Sequence, residues 1–211
     1  MKKQVAKDYY FNKKYLNLER FISYYYQIDT IRSVANSGKI LFIGPGDKIV
    51  SDYLNKVGFD VDTFDIDKEL EPSHVGDVRD LSFSDNEYDI VVAFEVLEYV
   101  PFDDFQPTLK KMNKIAKQAV LISIPNRLTS FEFLLKFPGI RSLLKKEFVY
   151  FSIDKYLRFP GFEVSGQHYW EIDKKEFNKK RVGAKVKEVF GSYKTKKPIL
   201  HRYQTFYIMN K

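Results

Sequence analysis

Residues 40–47 read Ile-Leu-Phe-Ile-Gly-Pro-Gly-Asp, written ILFIGPGD. Four apolar residues run straight into two glycines and an acid. That order predicts a buried strand delivering a tight turn to a ligand, because glycine lets the backbone approach a bound group closely. The turn is not a dinucleotide fingerprint, since Ile49 stands where G-x-G-x-x-G needs its third glycine. The chain also lacks the G-x-x-x-x-G-K-[ST] loop that cradles a nucleoside triphosphate.

Outward from this stretch, strands and helices alternate. On the N-terminal side, Leu18, Phe21, Ile22, Tyr25, Ile28, Ile31 and Ala35 recur at helical spacing, and Asn36-Ser37-Gly38 stops that helix. On the other side, Ile49–Val57 reads as a helix closed by Gly58, and Phe59–Phe64 as a strand ending in the acids Asp65 and Asp67. His74–Val78 reads as a short strand, Tyr88–Phe94 and Ala119–Ile124 as central ones, and Phe105–Ala116 as a helix. This alternation from Lys39 to Pro125 is the pattern of an open parallel α/β sheet with right-handed crossovers.

The pattern then breaks. Arg127–Phe162 mixes apolar and basic residues and is punctuated by Pro138-Gly139 and Pro160-Gly161. It is too long for an ordinary connection and is expected to contain short helices. Asp173 and Glu176 suggest a capping box for a basic helix to about Arg181. Lys185–Phe190 and Tyr203–Met209 then read as an antiparallel strand pair around the lysine-rich turn 193–198.

In an open parallel sheet a ligand binds beyond the C-terminal ends of the strands, near the topological switch point. Four strand ends carry informative residues in succession. They are Gly44-Pro45-Gly46-Asp47, then Asp65, then Gly76-Asp77-Val78, then Phe94-Glu95-Val96. Asp65 is placed to accept both hydroxyls of a ribose, and Asp77 to accept from an exocyclic amine. A ribose acid and an amine acceptor without a phosphate cradle suggest a nucleoside cofactor that carries no phosphate.

ILFIGPGD, VDTFDID, VGDVRDLSFSDNEYDIVVAFEVLEYVP and VLISIPN together resemble a class I S-adenosylmethionine-dependent methyltransferase, of the type 11-like kind, over Lys39–Asn126. The resemblance implies an open, mostly parallel seven-stranded sheet, Rossmann-like, whose last strand is antiparallel. It also implies S-adenosyl-L-methionine as cofactor and S-adenosyl-L-homocysteine as product. Carried onto matching positions, Gly44, Pro45 and Gly46 would line the methionine and ribose part, and Asp65 would hold the ribose with Ile66 against the adenine. Asp77 would accept from the adenine amine beside the Val78 backbone. Phe94, Glu95 and Val96 would border the methionine end. Tyr26 and Gln27 sit in a stretch similar to segments that fold over the cofactor. Three positions depart from the family pattern: Phe42 replaces an acid, Lys48 a glycine and Tyr99 a histidine.

One domain is expected, in four parts: an N-terminal helical cap (1–38), a cofactor-binding core (39–126), an inserted helical lid or substrate segment (127–170), and a C-terminal helix with an antiparallel strand pair (171–211). Among three histidines, His168 in GQHYWE is the candidate general base, with Glu171, Tyr169 and Tyr99 behind it.

Composition narrows the acceptor. The 211 residues contain no cysteine, which excludes disulfides, thiolate metal sites and a cysteine nucleophile, and no metal is expected. The chain carries a formal charge of +7, with lysines scattered in pairs rather than in one block. Nucleic acid is disfavoured, because FEVLEY lacks the D/N-P-P-Y/F signature of exocyclic-amine methylation. A small-molecule, lipid-like or glycan acceptor, methylated at oxygen or nitrogen, is preferred. A weakened cofactor-binding scaffold is the alternative reading, and an RNA methyltransferase a further one. No apolar run approaches the roughly 20 residues of a membrane span. A cytoplasmic protein is expected, with peripheral membrane contact or a homodimer compatible with the apolar and basic insert.

Overall fold

Ile40–Ile43 is fully inside the protein, as its unbroken apolar character requires. The computed structural model describes residues 6–126, 129–145, 147–155, 168–173, 176–201 and 203–211. In chain order the elements are α1 (Lys7–Phe11), α2 (Leu18–Arg32), β1 (Gly38–Ile43), α3 (Ile49–Lys56), β2 (Phe59–Asp65), β3 (His74–Val75), β4 (Tyr88–Phe94), α4 (Phe102–Ile115), β5 (Ala116–Pro125), β6 (Thr129–Leu135), α5 (Ile140–Leu144), β7 (Val149–Lys155), α6 (Lys179–Phe190), β8 (Lys194–Lys196) and β9 (Gln204–Asn210).

Seven strands form one sheet in the order β3-β2-β1-β4-β5-β9-β8. The pairs among β1 to β5 are parallel, and β9 runs antiparallel to both β5 and β8. The order reverses between β1 and β4, which opens a crevice at their C-terminal ends.

Both faces of the sheet are covered. Ile40, Phe42, Ile90, Val92 and Phe94 pack with Tyr24 and Ile31 of α2 and Val50 and Leu54 of α3. The alternate residues Leu41, Ile43, Val91 and Ala93 pack on the other face with Phe105, Leu109 and Met112 of α4 and Val182 and Val186 of α6. This period-two division of continuous apolar strands is what a doubly covered parallel sheet demands.

The parallel core agrees with the sequence reading, and four local expectations are corrected. First, α2 buries only the later part of the stripe that its spacing suggested: Ile31 is in the core and Ile28 packs against it. Leu18, Phe21 and Tyr25 are exposed, and Ser23, Tyr24, Gln27, Thr30 and Ile31 face inward. Polar residues occupy the inner face because it meets a charged group at the site. Second, the strand expected over His74–Val78 stops at Val75, and Val78–Asp80 is a 3-10 turn closed by the Asp77 side chain. Third, Lys185–Phe190 is helical. Val182, Val186 and Phe190 recur every four residues, and Asn178, not Asp173, caps α6 by accepting from the Arg181 N–H. The true partner strand of β9 is the three-residue β8. Fourth, the insert is not chiefly helical. Its described part is a β6–β7 antiparallel hairpin enclosing the five-residue α5. Residues 127–128, 146 and 156–167, including the Pro160-Gly161 break, lie outside the described residues.

Candidate cofactor and acceptor site

The crevice between β1 and β4 opens into a pocket that holds about 630 Å³ of empty space, its open mouth included. Gly44 supplies its floor, Asp65, Ile66 and Asp67 one wall, Gly76 and Val78 the next, and Glu95, Val96 and Tyr99 the far side. Tyr10 of α1 reaches in from above.

The glycine turn is shaped by close approach. Gly44 has φ +68, and a Cβ there would lie 2.4 Å from Val96 Cγ2. Gly46 has φ +59, and a Cβ there would lie 3.2 Å from Tyr10 Cε1. Both positions therefore exclude side chains on conformational and steric grounds. Lys48, where the family pattern has a third glycine, keeps the left-handed conformation at φ 64. Its Nζ donates to the Glu71 carbonyl at 2.6 Å. The loop geometry has thus survived the substitution.

Glu95 is also left-handed, at φ 55. Its N–H donates to Ser123 Oγ at 3.1 Å. Its carboxylate receives Arg20 Nη1 at 3.1 and 3.2 Å and Ser23 Oγ at 3.1 Å. Burial would raise the Glu95 carboxyl, but the Arg20 charge and the donated hydrogen bonds hold it below its ordinary value. Gln27 supports this group at one remove, donating to Ser23 Oγ at 3.2 Å.

Not every expected residue converges on the cavity. Gly44, Asp65, Ile66, Val78, Glu95 and Val96 line it. Pro45 and Gly46 complete the turn beside it. The Asp77 carboxylate receives Arg79 Nε at 3.1 Å and Nη2 at 2.8 Å, and those hydrogen bonds hold it well below the usual range. Phe94 is buried in the core between Phe42 and Phe206. Tyr26 faces away, where its hydroxyl accepts from the Ile199 N–H at 2.8 Å.

His168 stands one ring from the cavity. Its Nδ1 lies 2.5 Å from Glu171 Oε1, and its ring packs edge-on against Tyr99 at 4.8 Å. Neighbouring Trp170 is a core anchor, its indole N–H donating to the Val100 carbonyl at 3.0 Å.

The sequence reading passed over several residues that belong here. Arg20 lies 75 positions from its partner Glu95, so no local spacing announces the pair. Tyr10 and Tyr15 pack edge-to-face at 5.3 Å above Gly46. Tyr24 donates to Asp47 at 2.5 Å. Only the density of tyrosines between residues 9 and 26 hinted at a function for this segment. His201 is 2% exposed, and neither ring nitrogen has a hydrogen-bond partner among the described residues. Burial lowers its pKa to about 4 against the opposing pull of Glu95. Glu98 is also buried, and burial first, then the Glu95 and Glu171 charges, push its carboxyl well above the usual value.

An open α/β sheet with a glycine turn after β1, an acid at the end of β2 and no phosphate loop is the arrangement of a class I methyltransferase. A family model described as a methyltransferase domain matches residues 18–179, and the chain belongs to that family. Its cofactor is S-adenosylmethionine. No curated protein matches the chain in sequence.

The fold is similar to that of PH0226 protein from Pyrococcus horikoshii OT3, at 16% identity and TM-score 0.58, covering 98% of this chain and 99% of that one. It is similar to magnesium protoporphyrin IX methyltransferase from Synechocystis PCC 6803, solved with bound S-adenosylhomocysteine, at 15% identity and TM-score 0.58, covering 97% and 92%. A possible histamine N-methyltransferase from Thermotoga maritima is 12% identical with TM-score 0.57, covering 97% of both chains. The cavity itself suits the cofactor: Ile66, Val78 and Val96 give it apolar walls, and Asp65 and Asp67 place acids at the β2 end.

Proposed function

We propose that the protein transfers the methyl group of S-adenosylmethionine to an oxygen or nitrogen atom of a small-molecule, lipid-like or glycan acceptor. The observation that carries this reading is the convergence of Gly44, Asp65, Val78 and Glu95 from four successive strand ends on one cavity. Two similar structures are named for small acceptors, magnesium protoporphyrin IX and histamine. The sulfonium supplies an activated methyl, so the protein's task is chiefly positioning.

In this reading Asp65 accepts from the ribose hydroxyls, and Ile66 and Val78 flank the adenine. Phe42 has no charge to offer the amino-acid end of the cofactor. Glu95, kept charged by Arg20 and lining the cavity, stands in for the missing acid toward the amino group of the cofactor. His168, oriented by Glu171 as a base is by its partner in a hydrogen-bonded dyad, takes the proton of the acceptor. Asp77 is held by Arg79 outside the cavity lining and would reach the adenine amine only on leaving that clamp.

Two measurements test the assignment. Asp65→Ala should abolish binding of labelled S-adenosylmethionine, and unchanged affinity would sink the cofactor site. Against a panel of hydroxyl and amine acceptors, His168→Ala should lower kcat by about 100-fold or more at constant cofactor affinity. Full cofactor binding with no turnover by the parent protein on any acceptor would instead favour a scaffold that has lost catalysis.

A further inference from the structure

The β6–β7 hairpin is inside out. Its register pairs Phe131 with Ile153, Phe133 with Phe151 and Leu135 with Val149, so these six apolar side chains share one face. That face points to solvent: Phe133 is 55% exposed, Phe151 58% and Leu135 61%. The polar residues turn toward the body instead. Glu132 is half-buried, and its Oε2 accepts from the Tyr150 hydroxyl and from the Leu200 N–H, each at 2.7 Å. A soluble hairpin normally places these two faces the other way round.

The apolar surface extends beyond the hairpin. In the loop between its strands Ile140 anchors α5 in the body, while Phe137, Leu143 and Leu144 face out. At its base an apolar groove lined by Phe21, Ile22, Tyr25, Phe148, Ile199 and Leu200 connects it to α2. There the exposed Leu18, Phe21 and Tyr25 form the stripe that α2 does not bury in the core. A patch this contiguous needs an occupant.

Charge selects the occupant. The loop between the strands, residues 136–148, carries Lys136, Arg141, Lys145 and Lys146 against one acid, Glu147, which pairs with Arg141, so the loop is net basic. Lys136, Arg141 and Lys145 are exposed beside the outward leucines and phenylalanines. A second copy packed on this patch about a two-fold axis would bring two net-basic surfaces together. An anionic lipid surface satisfies both features, taking aromatic and aliphatic side chains at the acyl boundary and lysines among the phosphates.

We infer that the outward face of the β6–β7 hairpin, with its basic loop and the exposed stripe of α2, docks the protein on an anionic membrane surface. Among the described residues no helix is long and apolar enough to cross a membrane, so this attachment is peripheral. The inference stands apart from the identity of the methyl acceptor, because none of these residues lines the cofactor cavity.

Flotation with vesicles tests it. The full chain should float with vesicles of phosphatidylcholine mixed with phosphatidylglycerol, not with phosphatidylcholine alone, and added salt should release it. Lys136→Glu with Lys145→Glu should weaken that association about tenfold or more. Phe133→Ser with Phe151→Ser should weaken it comparably while leaving S-adenosylmethionine affinity and thermal unfolding unchanged. Trp170 is buried in the core, so in a Phe133→Trp variant any emission shift on adding mixed vesicles reports the hairpin. A blue shift is expected. The proposal is overturned if the protein ignores both vesicle types, binds both equally, or binds undiminished in the Phe133→Ser, Phe151→Ser variant. It is also overturned if the protein is a stable dimer whose Phe133→Trp emission is already blue-shifted without lipid, because a second copy then covers the face.

Discussion

Lys48 shows how a single residue can depart from a family pattern and leave its loop intact. A lysine in the left-handed region is strained by contact of its Cβ with the backbone, an effect of about 1–2 kcal/mol. Replacing it removes both the strain and the Glu71 contact, so two variants are needed to separate them. Lys48→Gly should be more stable than Lys48→Ala by about 1 kcal/mol, read as a higher denaturant midpoint at equal m-value. Phe42 is a different case. It is 2% exposed and packs edge-on against Phe94, so the position that usually holds an acid has joined the core. The sequence displayed the loss at Phe42 plainly. It could not display the Arg20–Glu95 pair, because Arg20 reaches Glu95 only after the chain has folded through α2, β1 and β4.

At the scale of elements, the N-terminal cap is the part that sequence reading misjudged most usefully. Spacing placed a helix where α2 runs, Leu18–Arg32, but of the expected stripe only its later residues, Ile28, Ile31 and Ala35, meet the core. An apolar stripe at helical period marks a face that needs covering, and says nothing about what covers it. The face that meets the site carries Ser23 and Gln27 because it must hydrogen-bond a carboxylate. Tyr10 and Tyr15 lie over Gly46 from the preceding segment, and Tyr10 closes one end of the cavity. Tyr10→Ala with Tyr15→Ala should therefore weaken S-adenosylmethionine binding about tenfold, mainly through faster dissociation in stopped-flow experiments. An unchanged dissociation rate would show that the cap does not retain the cofactor. The misread strand at Lys185–Phe190 has a related cause. KVKEVF alternates over its first residues and also places Val182, Val186 and Phe190 four apart, and only the longer window favours the helix. The central strands were legible because burial on both faces leaves no polar position to blur the pattern.

For the whole molecule, two buried groups bias stability with pH in opposite senses. His201 binds a proton in the unfolded chain below about 6.5 and in the folded protein only below about 4. The unfolded state thus holds the extra proton between those values, and stability falls by about 3 kcal/mol as pH drops through that window. Glu98 works the other way. Its folded carboxyl keeps a proton above the ordinary value of 4.5, where the unfolded one has lost it, so stability falls as pH rises through that range. Urea unfolding across the pH range should show His201→Gln flattening the acid limb. Glu98→Gln should raise stability on the neutral side by an amount on the order of 1 kcal/mol. Parallel curves for parent and variants would remove both assignments.

The position of β9 has a consequence for synthesis. β9 follows every other described strand, yet it lies inside the sheet between β5 and β8. It makes seven register pairs with β5. Until β9 emerges from the ribosome, the run AVLISI of β5 is an apolar edge with unpaired amides. A nascent chain paused before residue 204 would expose that edge to any other extended segment, including the β6–β7 hairpin of its own insert. Full sheet closure must therefore wait until residues 204–210 have been made, and a chain stalled before them is the species most in need of a chaperone.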